Sequence, residues 1–275
     1  MLVTLNEVLK DAQKKKYAVG LFNTVNLEMA KGVIEAAEET NSPVIVGTAE
    51  VLLPYAGLEE LTSFLLPMAK KAKVPVVLHF DHGLTQDKIL EALKLGFSSI
   101  MYDCSGDSFE DNISNMLYIK KITNLYGASL EAELGHVGAN MGKDDSIYTE
   151  PEEARKFVER TEIDALAIAI GTAHGAYKET PKLDINRLSQ IAREVSVPLV
   201  LHGGSGLSDD DFKNCIQNGI TKVNIFTDIN CAAAKEAIRV YKDGYGMTDL
   251  MNSIKNAVKK ETIKKLNLFG CCNKA

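Results

Sequence analysis

Short apolar runs recur along the chain and alternate with stretches whose apolar positions fall at helical spacing. The runs are YAVGLF (Tyr17–Phe22), PVIVG (Pro43–Gly47), PVVLHF (Pro75–Phe80), SSIMYD (Ser98–Asp103), ASLEAEL (Ala128–Leu134), ALAIAIG (Ala165–Gly171), PLVLHG (Pro198–Gly203) and KVNIF (Lys222–Phe226). Most are continuous rather than alternating, as expected of strands buried on both faces of a parallel sheet. Three open on proline, whose missing N–H is tolerated at a strand's first residue. Helical patterns lie between them at Leu27–Thr40, Thr85–Gly96, Ser108–Gly127 and Asp184–Val195, two of them ending in glycine. Eight β units separated by helices predict an α/β fold, a (β/α)8 TIM barrel. An extra N-terminal helix from Thr4 and a C-terminal helical extension from about Thr248 complete the pattern. A doubly wound open sheet is the alternative, and the count of eight favours the closed barrel.

Composition narrows the class. A chain of 275 residues suits one α/β barrel, so residues 1–275 are expected to form a single domain. Hydrophobic content of 45% and charged content of 25% are those of an ordinary globular chain. The formal net charge is −6 with no basic block, which argues against nucleic acid or an anionic membrane surface as partner. Five cysteines, an odd number with no C-x-x-C among them, argue against a disulfide framework and for a reducing cytoplasm. The N-terminus shows no secretion-signal pattern, and ALAIAIG is far too short to span a bilayer.

Candidate chemistry collects where the apolar runs end, the rim at which barrel active sites sit. The third run leads into Asp81 and His82, the fourth into Asp103, and the fifth carries Glu131 and Glu133. The sixth is followed by His174, the seventh carries His202 at its end, and the eighth carries Asn224. A single histidine at a strand end is commonly just hydrogen-bonded. Three at one rim match a catalytic zinc site with an open fourth position, so His82, His174 and His202 are the candidate ligands of one Zn²⁺. His79 shares Asp81's side of its strand and is expected to support the site rather than bind metal. His136 is expected in a solvent-exposed loop. Glycine-rich HGGSG, together with Asn224 and Thr227 of the next loop, fits the barrel's usual phosphate position; Gly203, Gly204 and Ser205 are its candidates.

Taken in order, HFDHG, IMYDCS, EAELGHVG, AIAIGTAHGAY, LVLHGGSGL and KVNIFTD make the whole chain resemble the class II, metal-dependent ketose-bisphosphate aldolases. The resemblance implies reversible cleavage of a ketose 1,6-bisphosphate, by default fructose 1,6-bisphosphate, to dihydroxyacetone phosphate and an aldehyde such as glyceraldehyde 3-phosphate. It implies His82, His174 and His202 as catalytic zinc ligands and Asp81 as acid/base at the aldehyde-derived hydroxyl. Asp103 and Glu133 match positions for a second divalent metal or a mobile zinc. Gly175, Gly203, Gly204, Ser205, Asn224 and Thr227 match the dihydroxyacetone phosphate site, near which relatives also hold a monovalent cation. Relatives are dimers or tetramers, so a homo-oligomer is implied as well.

Three positions depart from the family pattern. Met141 stands where a loop glutamate exchanges the enediolate proton, with Asp144 and Asp145 nearby. Ala49 replaces a serine of the second strand, and Phe226 puts an aromatic ring where polar residues are common. The DPR segment whose arginine grips the distal phosphate is missing, leaving Arg239 and Lys242 as the cations in that region. Tagatose bisphosphate, a sugar with another distal group, a catalytically weak sugar-phosphate-binding barrel and a metal-dependent hydrolase are the competing readings. The phosphate loop and the lack of an H-x-H on the first strand argue against the hydrolase.

Overall fold

The eight apolar runs close into a parallel barrel, and the open doubly wound sheet is excluded. The computed structural model describes residues 1–138, 148–175 and 181–275. Its strands are β1 (Leu2–Val3), β2 (Val19–Asn23), β3 (Val44–Ala49), β4 (Val76–Gly83), β5 (Ser99–Tyr102), β6 (Ser129–Leu134), β7 (Ala165–Ile168), β8 (Leu199–Leu201) and β9 (Ile220–Ile225). The order β4-β3-β2-β9-β8-β7-β6-β5 is closed by β4 against β5. All pairings are parallel. The short β1, which the apolar pattern does not reveal, adds beside the start of β4 with Leu2 opposite Val76.

Around the barrel run α1 (Leu5–Lys15), α2 (Leu27–Glu39), α3 (Leu58–Lys71), α4 (Gln86–Leu95), α5 (Phe109–Tyr126), α6 (Pro151–Thr161), α7 (Ile185–Glu194), α8 (Asp209–Gln217), α9 (Thr227–Val240) and α10 (Met247–Leu268). The expected helices start at side-chain caps: Asn26, Thr85, Ser108 and Asp184 each accept a first-turn backbone N–H. Gly96 and Gly127 close α4 and α5 in the left-handed region. Helix α3 contains Pro67, a helix breaker that hides it from pattern reading. The N-terminal α1 and the C-terminal α10, with Val258 and Leu266 fully buried, are the two extensions predicted.

Strand ends are trimmed for identifiable reasons. The run ALAIAIG continues past β7, but Ala169 leaves the ladder. Its N–H donates to Thr149 Oγ1 at 2.9 Å, and its carbonyl accepts from Thr149 N at 3.0 Å. Asn224 lies within β9, as the eighth run has it, and Thr227, expected in the next loop, opens α9. The layer between strands and helices is apolar, with Phe22 and Phe80 of the barrel and Phe157 and Phe212 of α6 and α8 fully buried. The barrel interior is not: His79, Ser99, Glu131, His202 and Lys222 are all 0% exposed. Burying ionised groups is costly unless they are paired, so this layer needs a functional account.

Candidate active site

At the C-terminal ends of the strands a cavity of about 450 Å³ opens. Asp81, His82, Asp103, His174, Gly175, Gly203, Gly204, Ser205, Asn224 and Thr227, all predicted from sequence, line it. Asp81 and His82 are neighbours in β4, and simple strand alternation would send them to opposite faces. Two features bring both to the cavity. The β4–β5 register runs from Phe80 opposite Ile100 to Gly83 opposite Tyr102, so β4 carries one extra residue. His82 itself sits in the left-handed region at φ 42°, a costly conformation for a residue with a Cβ.

The imidazoles of His82, His174 and His202 converge. Their ring centroids lie 4.8, 4.5 and 5.9 Å apart, and one nitrogen from each falls within 4.8 Å of the others. His82, Asp103 and Glu133 form a second, overlapping group at the same spacing. Carboxylates set the rings. Asp103 Oδ2 meets His82 Nδ1 at 2.9 Å, and Glu131 Oε1 meets His202 Nε2 at 3.0 Å. Asp103 is itself held by Ser105, which donates from N at 3.1 Å and from Oγ at 2.7 Å. A carboxylate behind an imidazole is the arrangement that orients metal-ligating histidines.

The donor set fits a divalent cation. Nδ1 of His202 and Oε2 of Glu133 are buried 3.3 Å apart, and neither has a hydrogen-bond partner among the described residues. Burial pushes the His174 imidazole down to about 4, with His82 and His202 adding to the effect, so the ring is neutral and free to ligate. Burial alone would lower His202, but its Glu131 and Glu133 contacts push it up to about 10. Among the described residues, the buried interior holds three carboxylates, Asp81, Glu131 and Glu133, against Lys222 and the His202 imidazole. That negative excess is what a bound cation offsets.

Asp81 is fixed from two sides. Asn23 Nδ2 donates to its Oδ2 at 2.7 Å, and Asn224 Nδ2 donates to its Oδ1 at 2.9 Å. Burial opposes its charge, yet His82 and Lys222 hold the carboxyl well below the usual range, so it is ionised. His79 lies beneath: its Nδ1 meets Ser99 Oγ at 2.8 Å and its Nε2 is 3.8 Å from Asp81 Oδ1. Burial, aided by Lys222, pushes His79 down to about 3, so it is a neutral supporting group. Asn23 carries no local motif, and Lys222 opens KVNIFTD with nothing local to mark its partners. Only closure of β2 on β9 reveals them, with Leu21 opposite Asn224.

One histidine departs from expectation. His136 is half-buried rather than exposed, lines the cavity and pairs with Ser105 Oγ at 3.0 Å. The glycine loop is built for close approach: Gly203 has φ 64°, and a Cβ there would stand 2.4 Å from the Ala173 carbonyl. Helix α9 opens beside it without a side-chain cap, and the Phe226 N–H points to Ser205 Oγ at 3.3 Å. Arg239 is exposed, binds Glu236 at 2.7 Å and does not line the cavity; nor does Lys242. Met141, Asp144 and Asp145 lie outside the described residues. Among the described residues no helix is long and apolar enough to cross a membrane.

Comparison with known proteins agrees with this geometry. The family described as fructose-bisphosphate aldolase class-II matches residues 3–274. YdjI of Escherichia coli K12 is 40% identical over 279 residues, covering 100% of both chains. The fructose-bisphosphate aldolase of Thermus caldophilus is 37% identical over 306 residues, again covering 100% of both. The crystal structure of the Escherichia coli YdjI aldolase superposes with a TM-score of 0.91 at 38% identity, covering 100% of each chain. A (β/α)8 barrel with this rim, matched from end to end, belongs to the class II fructose-bisphosphate aldolase family, whose members are lyases.

Proposed function

We propose that the protein reversibly cleaves a ketose 1,6-bisphosphate, fructose 1,6-bisphosphate by default, to dihydroxyacetone phosphate and an aldehyde such as glyceraldehyde 3-phosphate. The observation that carries this reading is the convergence of His82, His174 and His202 beside an ionised, doubly held Asp81. The three histidines would hold Zn²⁺, which when bound supplies Lewis-acid stabilisation of the enediolate left by carbon–carbon cleavage. Asp81 accepts the C4 hydroxyl proton as the C3–C4 bond breaks and returns it in condensation. Asn23 and Asn224 keep the carboxylate from rotating, so it meets that hydroxyl in register. Asp103 and Glu131 orient the His82 and His202 rings, and Glu133 is a further donor beside His202. Gly175, Gly203, Gly204, Ser205 and Thr227 receive the phosphate of the dihydroxyacetone half, aided by the uncapped start of α9.

A second reading concerns the far half of the substrate. Ala49, Val51, Leu52, Leu84, Ile225 and Phe226 form an apolar wall, and no Lys or Arg lines the cavity among the described residues. That supports a ketose 1-phosphate whose distal group carries no phosphate. Tagatose 1,6-bisphosphate is the closer alternative, since only C4 stereochemistry separates it from the default. The five free cysteines are in keeping with work in a reducing cytoplasm. Self-association as a dimer or tetramer would cover such exposed side chains as Leu125 and Ile238, and sedimentation velocity measures it.

The test is a cleavage panel of fructose and tagatose bisphosphates, sorbose 1-phosphate and sulfo-sugar phosphates, read by triose phosphate release. Chelation is expected to abolish release and Zn²⁺ to restore it. Activity that survives metal removal rejects the metal-dependent reading. Binding with no cleavage and no proton exchange on dihydroxyacetone phosphate points instead to a sugar-phosphate sensor.

A further inference from the structure

Lys222 is the one fixed cation inside the barrel among the described residues, and it is fully buried. It does not line the cavity, so it touches no substrate there. Its Nζ lies 3.0 and 2.9 Å from the two oxygens of Glu131 and 2.8 Å from Asn224 Oδ1. Asn224 in turn donates Nδ2 to Asp81 Oδ1. A buried ion pair gives little net stability compared with packed apolar residues, so stability alone does not account for this lysine.

The orientation of Asn224 does account for it. An asparagine side chain has a donor end and an acceptor end of nearly the same shape, and its environment decides which faces where. An ammonium group only donates. Set against Asn224, it admits only the oxygen, which turns the NH₂ toward Asp81. We infer that Lys222 is a positioning residue that locks the Asn224 amide with its donor end on the Asp81 carboxylate. Without that lock the amide can turn over and present its oxygen to a carboxylate, and the Asp81 Oδ1 contact is lost. Glu131 has the complementary part: it offsets the lysine's charge and holds it under β9. The effect on turnover rests on the role proposed for Asp81; the amide orientation itself does not.

Removing Lys222 alone would leave the buried Glu131 carboxylate with only the His202 ring against it, so the measured step is from Glu131→Gln to Glu131→Gln/Lys222→Met, with metal content matched. We expect kcat for cleavage to fall about 10- to 100-fold in that step, as for loss of a charge-assisted hydrogen bond. Repeated in Asn224→Ala, the same step should change kcat by less than about twofold. An equal loss with and without Asn224→Ala overturns the proposal, because damage to folding or to the metal site would not depend on Asn224. If the neutral pair does not fold, the cycle is run with Lys222→Gln alone.

A second readout does not depend on activity. The side-chain amide signals of Asn224, identified by their loss in Asn224→Ala, should sit at hydrogen-bonded shifts and move to those of a free asparagine when Lys222 is replaced. Signals unmoved by the substitution overturn the proposal even if the wild type cleaves no substrate in the panel.

Discussion

The two halves of the cavity are built on opposite principles. On one side, Asp81, His82 and His202 are each held by another side chain at 2.7–3.0 Å in the barrel mouth, and the His174 ring packs against both histidines. On the other, Ala49, Val51, Leu52, Leu84, Ile225 and Phe226 offer shape without charge. The first half is rigid because a partly satisfied polar network in low dielectric is expensive, so every member constrains the next. The second has no such coupling. Val51 and Leu84 are exposed, and their replacement leaves no buried group unpartnered. On the function proposed above, the contrast assigns the chemistry to the network and the choice of aldehyde to the wall, so that the wall can change without disturbing the network.

Substitutions can test that separation. The largest effect should come from the network's centre. Chelation or His202→Ala should lower kcat/KM for cleavage by roughly 10³-fold or more, and Zn²⁺ should restore only the chelated wild type. Next, Asp81→Asn should reduce cleavage about 10²- to 10⁴-fold while proton exchange on dihydroxyacetone phosphate persists, as followed by solvent isotope uptake. Parallel loss of both would remove Asp81 from its proposed step. Asp103→Asn should weaken metal affinity or activity by about 10- to 100-fold, read by metal titration, since it frees the His82 ring.

On the wall, Phe226→Arg should raise the preference for a bisphosphate over a distally uncharged ketose phosphate by about tenfold, with the metal site intact. An unchanged ratio would show that Phe226 does not face the distal group.

Acid should distinguish the halves most gently. Burial alone would raise the Glu131 carboxyl, but Lys222 and His202 hold it down at about 2. A carboxylate whose folded pKa lies below its unfolded value stabilises the fold fully above about pH 4.3, and that contribution fades as pH falls toward 2. Denaturant melts of wild type between those limits should lose stability faster than those of Glu131→Gln, whereas Phe226 variants should follow the wild type.

Periodicity made the barrel legible, because strands buried on both faces must be apolar throughout and helices must cover them. The convergence of His82, His174 and His202 was legible too, since histidine is scarce in this chain and all three fall at strand ends. Pro67 masked α3, and Thr149, distant in sequence, ended β7 early. His136 read as a solvent residue because nothing local announces Ser105 as its partner.

By itself, then, the sequence determined the eight barrel strands, the rim and the identities of the histidines, aspartate and glycine loop. Only the tertiary structure decided how they combine. The extra residue in β4 turns Asp81 and His82 to one side, and closure of β9 on β2 sets Asn23, Asn224 and Lys222 around one carboxylate. The reason is physical. Hydrophobic burial depends on pattern, which is local along the chain, whereas hydrogen bonds and ion pairs depend on distances between segments that are far apart in sequence and meet only in the closed barrel.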